Sequence, residues 1–193
     1  MTDTVDFVTR ASQHLLDRGL NPEAIQAALG MLGEGARVDR VYVFEDHLDE
    51  DSGARLTSQR FEWVAPGIVP QIDDPACQNL PYASIGVERG AALQRGEVVA
   101  ALTRETEPRE LREILEAQNI QSLLLCPIVF NLKTWGFVGF DDCHRERRWP
   151  PSEVSALRTF ARALTAALRN ARLQGADAMA QAKTELRTIA GTR

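Results

Sequence analysis

Ile120-Gln121-Ser122-Leu123-Leu124-Leu125-Cys126-Pro127-Ile128-Val129-Phe130 is followed after only four residues, Asn131-Leu132-Lys133-Thr134, by Trp135-Gly136-Phe137-Val138-Gly139-Phe140-Asp141-Asp142. The first run is almost wholly apolar, the pattern of a central strand covered on both faces. The connection is too short for the crossover that a parallel neighbour needs, so the second run must return antiparallel beside the first. A hairpin therefore sits in the middle of the sheet.

Upstream of it, Leu111, Ile114 and Leu115 share one face of a helix over 107–118, and Asn119 can adopt the left-handed exit conformation. Glu97 to Leu102 reads as a short strand. Residues 82–95 have a helical pattern interrupted by Gly86 and Gly90 and ended by Gly96. Residues 65–81 carry Pro66, Pro70, Pro75 and Pro81, each fixing the backbone and lacking an amide donor, so this stretch reads as an irregular lid. Val38, Val41, Tyr42, Val43 and Phe44 form a β-branched and aromatic strand, 45–53 a charged turn, and 55–64 the antiparallel partner. Two helices come first. One spans 4–18 before Gly19; the other starts at Pro22 behind Asn21, with a stripe of Ile25, Ala28, Leu29 and Leu32, and stops around Gly33 to Gly35. After the hairpin, Trp149-Pro150-Pro151-Ser152-Glu153 opens a long helix with Val154, Leu157, Ala161, Leu164, Leu168 and Ala171 at heptad spacing. The same register thins out through Gly175, Ala178, Ala182, Glu185 and Ile189.

Hairpins at both ends of the strand list give an α+β chain with a largely antiparallel sheet and helices on its faces, and exclude a doubly wound nucleotide fold. At 193 residues it is one globular domain with a helical extension, on the basis of about 100–200 residues per domain. A composition of 44% hydrophobic and 25% charged residues excludes disordered, collagen-like and disulfide-stapled chains. The net charge of −5 argues against a domain-wide footprint for nucleic acid or anionic lipid. No apolar run approaches the ~18 residues of a membrane span, and Met1-Thr2-Asp3-Thr4 is acidic, which points to the cytoplasm. Cys77, Cys126 and Cys143 are odd in number and widely spaced, as in a reducing compartment.

Three segments in this order resemble the GAF sensory domains of bacterial signalling proteins, especially those preceding sensor histidine kinases or PAS modules. They are Asp39-Arg40-Val41-Tyr42-Val43-Phe44, then Asn119-Ile120-Gln121-Ser122-Leu123-Leu124 with Pro127-Ile128, then Trp135 to Asp142 before Arg148-Trp149. The resemblance covers roughly 5–172. It implies a GAF-like antiparallel sheet of five or six strands and a ligand pocket between one face and the lid with the middle helices. The terminal helices then pack on the other face, often in a homodimer. On this reading 1–172 is the sensory domain and 173–193 a C-terminal helical extension or linker. An unknown small-molecule effector and a histidine kinase or PAS output module are the implied partners, and no cofactor is specified.

Small-molecule sites are mostly apolar with a few polar groups, which selects Phe44, Trp63, Tyr82, Ile85 and Leu93 near the lid as pocket candidates. The competing reading is that these side chains fill the core under a long loop. Val154, Leu157, Leu164 and Leu168 are candidates for a helix seam with a second copy, through which pocket closure would bias an output module. Cys143-His144, beside Asp141 and Asp142, has metal-ligand chemistry, but adjacent residues on extended chain diverge, so a loop with local Asp/Arg pairing is expected and no metal site is assigned. The Cys-His pair of bilin-binding relatives lies upstream of the central strand and does not align with this one. His14 and His47, on a surface helix and in a charged turn, are poorly placed as haem ligands. The Asn-Lys pair of cyclic-nucleotide-binding members is absent. Arg158, Arg162, Arg169 and Arg172 read as a solvated flank of the last helix rather than an anion stripe. No catalytic residue is assigned, so the chain reads as a regulatory domain rather than an enzyme. Two alternatives are a thiol-dependent reductase of the free methionine sulfoxide type, using Cys77 with Cys126 inert in the core, and a ligand-free dimerisation scaffold.

Overall fold

The computed structural model describes the backbone of residues 4–190 and the side chains of residues 6–175. Helix α1 (Thr4–Arg18) ends at Gly19, whose φ of 77° turns the chain. Helix α2 (Pro22–Ala36) starts behind Asn21, whose Oδ1 accepts from the Ala24 amide at 2.9 Å, satisfying a donor that the first turn leaves free. Then come β1 (Arg40–Leu48), β2 (Arg55–Val64), the lid with its 3₁₀ turn Pro75–Cys77, and β3 (Leu80–Pro81). A second 3₁₀ turn (Tyr82–Ile85) leads into α3 (Val87–Gln94), followed by β4 (Val99–Leu102) and α4 (Arg109–Ala117). The central hairpin is β5 (Ser122–Phe130) and β6 (Lys133–Asp142), and α5 (Pro151–Ala190) closes the chain.

The six strands form one sheet in the order β3-β2-β1-β6-β5-β4, with every neighbouring pair antiparallel. The hairpin expected between the two apolar runs is present; Asn131 and Leu132, both at positive φ, make its two-residue turn. Alternation along the strands then sends side chains to two faces. Val41, Val43, Leu124, Cys126, Ile128, Val138 and Phe140 pack against Leu15, Leu29, Leu32, Leu157, Phe160 and Leu164 of α1, α2 and α5. Tyr42, Phe44, Leu123, Leu125 and Phe137 point the other way, toward Cys77, Leu93, Leu115 and Ile120. Two bulges break the alternation. One, opposite Val43 and Phe44, puts Arg60 out of register; the other leaves Trp135 between the partners of Ile128 and Val129. Each turns aromatic residues, Phe61 and Trp63 in one case and Trp135 in the other, onto the helix face.

Several expectations need correction. Strand β1 runs through the charged segment to Leu48, because Glu45, Asp46 and His47 pair across to β2: Arg60–Glu45 at 2.9 Å, Arg55–Asp46 at 2.6 Å and His47–Ser58 at 2.8 Å. The helical pattern over 82–95 is split at Gly86, whose φ of 94° separates the 3₁₀ turn from α3. The seam assigned to α5 is turned inward. Leu157 and Leu164 are 0% and 2% exposed in the chain's own core, so these two are not open to a partner helix, while Val154 and Leu168 are half-buried at its edge. The side chains of Ala178, Ala182, Glu185 and Ile189 lie outside the described residues. Among those described, no helix is long and apolar enough to cross a membrane.

Candidate functional site

The sheet face away from α1, α2 and α5 floors a chamber of about 340 Å³. The floor is aromatic: Phe44 stacks on Phe137 with centroids 4.9 Å apart and Tyr42 stands edge-on to Phe44 at 5.7 Å. Leu123 and Leu125 of β5 extend it, Leu111, Ile114 and Leu115 of α4 wall one side, and Gln71, Ala76, Cys77, Leu80, Ser84 and Ile85 come from the lid and its continuation. A cavity of about 350 Å³ on the helix face, between Leu20, Ile25, Phe61, Trp135 and Leu164, is its nearest rival. Of these two, only the lid-side chamber has, among the described residues, buried polar atoms without a hydrogen-bond partner in its lining, Gln59 Nε2 and Asp141 Oδ2. Buried polar groups are ordinarily bonded, and a few polar atoms converging in an apolar recess is the pattern of a binding site.

The polar end is organised around Arg40, itself 3% exposed. Its guanidinium donates to the carbonyls of Val69 in the lid and Gln118 at the end of α4, each at 3.2 Å, and to Cys143 Sγ at 3.4 Å. It sits 3.8 Å from Asp141 Oδ2 and 3.9 Å from Glu62 Oε1, ion-pair distances beyond hydrogen-bond reach. Glu62 Oε2 accepts the Gln71 and Ile72 amides at 2.7 and 3.0 Å, fastening the lid from below. Tyr42 donates its hydroxyl to Asp141 Oδ1 at 2.8 Å. Gly139 makes this reach available: a Cβ there would lie 2.4 Å from Tyr42 Cε2. Burial pushes the Asp141 carboxyl up to about 7, against the opposing pull of the Tyr42 hydrogen bond and Arg40. Burial, reinforced by Asp141, also raises the Tyr42 hydroxyl well above its ordinary range.

Of the side chains expected around the pocket, Phe44 and Ile85 line the chamber. Leu93 is fully buried in the same lid-side apolar cluster but does not reach the chamber wall. Tyr82 turns aside, donating to Asp46 Oδ2 at 3.0 Å with the Arg55 guanidinium over its ring. Trp63 is on the opposite face. The bulge in β2 sends its indole against α2, where a Cβ on Gly33 would meet Trp63 Cζ3 at 2.0 Å. Tyr42, Gln59, Arg89 and Asp141 also line it, outside the expected residues. Alternation along Tyr42-Val43-Phe44 was the available signal for Tyr42, since it shares a strand face with Phe44. Neither bulge has a signature of that kind.

The three thiols are dispersed in role. Cys77 lines the chamber, 4% exposed, and burial pushes it up to about 11. Cys126 lies on the helix face, likewise raised to about 11, and Cys143 follows β6 near Arg40, raised to about 12. A thiol held protonated by burial is a poor nucleophile. Cys143-His144 forms a turn held by Asp39, which accepts from the Cys143 amide at 2.6 Å and contacts His144 Nδ1 at 3.0 Å. Asp142 beside it, fully buried, pairs with Arg145 and Arg147. Among the described residues no cluster of His, Cys, Asp or Glu has the arrangement of a metal site. In the arginine row of α5, Arg172 lies 4.8 Å over the Phe130 ring.

The sequence model of one protein family, described as GAF domain, matches residues 22–168. The methanogenesis regulatory histidine kinase FilI of Methanothrix harundinacea (strain 6Ac) is 38% identical over 163 residues, which is 84% of this chain and 18% of that protein. The chain thus spans under a fifth of that relative's length. Among solved structures, a phycocyanobilin-bound GAF domain from a cyanobacterial phytochrome aligns with a TM-score of 0.70 at 15% identity, covering 89% of this chain and 96% of that one. A domain assigned to a two-component sensor histidine kinase protein of Sinorhizobium meliloti 1021 aligns with a TM-score of 0.61 at 19% identity, covering 82% and 97%. At these identities the two structures establish the shared fold.

Proposed function

Because this chain belongs to the GAF domain family, we propose that it is the sensory module of a histidine-kinase-type regulator and that a small effector occupies the chamber under the lid. One observation supports this above the others: Gln59 Nε2 and Asp141 Oδ2 are buried without hydrogen-bond partners in the wall of a largely apolar recess. A ligand that satisfies them removes a desolvation penalty of about 1–3 kcal/mol per group, the magnitude that favours a filled chamber over an empty one. The lid is tied to the floor through Arg40 and Glu62, so a ligand there acts on both. Strand β5 carries the chamber on one face and α5 on the other, which gives occupancy a route to α5 and to a kinase or PAS module beyond it. Such coupling requires the effector to prefer one of two arrangements of that route. In the homodimer we infer, two copies meet along the outer surfaces of α1 and α5, where Leu16 and Leu173 are exposed.

The buried, protonated state of Cys77 gives the reductase alternative no support, and the chamber itself speaks against a sealed scaffold. Native mass spectrometry of the gently purified chain is the test, alongside Leu123→Trp, which fills the chamber from its floor and is checked for folding by circular dichroism. A small-molecule mass held by the wild type and lost from the variant is the expected result. A wild type that retains nothing and melts at one temperature across a metabolite library would overturn the proposal, because a ligand selective for the folded state must raise that temperature.

A further inference from the structure

Charge in the chamber is unevenly satisfied. Arg40 faces two carboxylates, Glu62 and Asp141, and donates to two carbonyls. Arg89, in the first turn of α3 and part of the chamber lining, has far less. Its Nη2 donates to Thr106 Oγ1 at 2.6 Å, and it makes no ion pair among the described residues. Thr106 is itself 2% exposed and donates its own hydroxyl hydrogen bond to the Leu102 carbonyl at 3.0 Å, so it anchors the guanidinium without neutralising it. A half-buried guanidinium keeps its charge and normally has an anion beside it. The surroundings add to the positive potential. Helix α3 begins at Gly86, which offers no side-chain cap, and Ser84 and Ile85 just before it line the same chamber. Gly86 lies directly between Leu111 and the Arg89 stem: a Cβ there would meet Leu111 Cδ2 at 2.8 Å and Arg89 Cδ at 3.6 Å. The cation thus emerges between apolar walls.

Resting on the reading of the chamber as an effector site, we propose that its ligand is a small amphipathic carboxylate. Arg89, in the first turn of α3, holds the carboxylate by charge-assisted hydrogen bonds, in the fork geometry that guanidinium and carboxylate share. The apolar body of the ligand lies on the Phe44–Phe137 stack. A hydroxyl on that body, able to donate or to accept, meets Asp141 Oδ2, which makes no hydrogen bond within the described residues. A cationic ligand is disfavoured because the one buried carboxylate in the lining already faces Arg40.

Isothermal titration of the full chain with 3-(4-hydroxyphenyl)propanoate, its primary amide and tyramine separates the classes. The carboxylate should bind at least about tenfold more tightly than the amide, with tyramine weakest. Arg89→Gln should erase the preference of carboxylate over amide, and Arg89→Lys, which keeps the charge, should restore part of it. The amide comparison reads the same preference in the unaltered chain, so misfolding of a variant cannot mimic the result. Equal affinity for carboxylate and amide, a preference unchanged in Arg89→Gln, or no binding of the carboxylate overturns the assignment of ligand class. Failure of the effector reading itself shows separately, as the absence of any retained mass or thermal shift in the native chain.

Discussion

Replacing Asp141 by Asn should make the protein's stability less sensitive to pH. Asp141 is 1% exposed, accepts from Tyr42 at 2.8 Å through Oδ1, and keeps Oδ2 at 3.8 Å from Arg40. Its carboxyl is pushed by burial from 3.8 up to about 7. Between those values the folded chain holds a proton that the unfolded chain has released. The wild type therefore loses stability as pH rises through this window, and the loss is complete above the folded value. At 1.36 kcal/mol per pH unit, the window is worth about 4 kcal/mol. Asn presents the same acceptor to Tyr42 and has no proton to lose. The stability of Asp141→Asn relative to the wild type should thus rise by about 4 kcal/mol between pH 4 and pH 8. Urea denaturation of both proteins across that range measures it, and contributions common to both proteins cancel in the difference. A difference that is constant with pH, or that shrinks, refutes the claim that burial dominates over Arg40 at this site.

Leu157→Ala, at a fully buried position, should cost about 2–5 kcal/mol of folding stability without altering the mass seen by light scattering; a dissociated dimer with unchanged unfolding would return Leu157 to an intermolecular seam. Gly33→Val drives a side chain into Trp63 and should lower stability by about 2 kcal/mol or more, with a changed near-ultraviolet circular dichroism signal, whereas a neutral outcome would place Trp63 elsewhere. Arg40→Met leaves Glu62 and Asp141 without their counter-charge and frees Val69 and Gln118, for a loss of about 3–5 kcal/mol. Limited proteolysis should then cut within 65–79 sooner than in the wild type; unaltered cleavage would mean that Arg40 does not hold the lid. With Cys77 and Cys126 raised to about 11 and Cys143 to about 12, iodoacetamide at pH 8 should label the folded chain more than tenfold slower than the unfolded one, and a single thiol reacting at the free rate would revive the reductase alternative.

What could be read from the sequence was whatever local spacing controls. The hairpin of β5 and β6 follows from two apolar runs and a short connection, and the ends of α1 and α2 follow from Gly19 and Asn21. Phe44 and Ile85 followed from their nearness to the lid. Trp63 was misplaced because an out-of-register residue in β2 reverses which face the following side chains take, and Arg60 looks like any exposed strand residue. The heptad spacing of Leu157 and Leu164 was sound as periodicity, but an apolar helix stripe fits the chain's own sheet as well as it fits a partner. Arg40, Arg89 and Asp141 were invisible as a set. Their charges meet only when β1, α3 and β6 converge, and charged residues in a sequence are by default solvent-facing.

The decisive measurement is where bound ligand sits. Amide shifts of the ¹⁵N-labelled chain on addition of 3-(4-hydroxyphenyl)propanoate report this residue by residue. The account predicts the largest changes at Phe44, Gln59, Arg89, Leu123 and Asp141, with smaller ones reaching α5. Changes centred instead on Leu20, Ile25, Phe61 and Leu164, around the helix-face cavity, would contradict it.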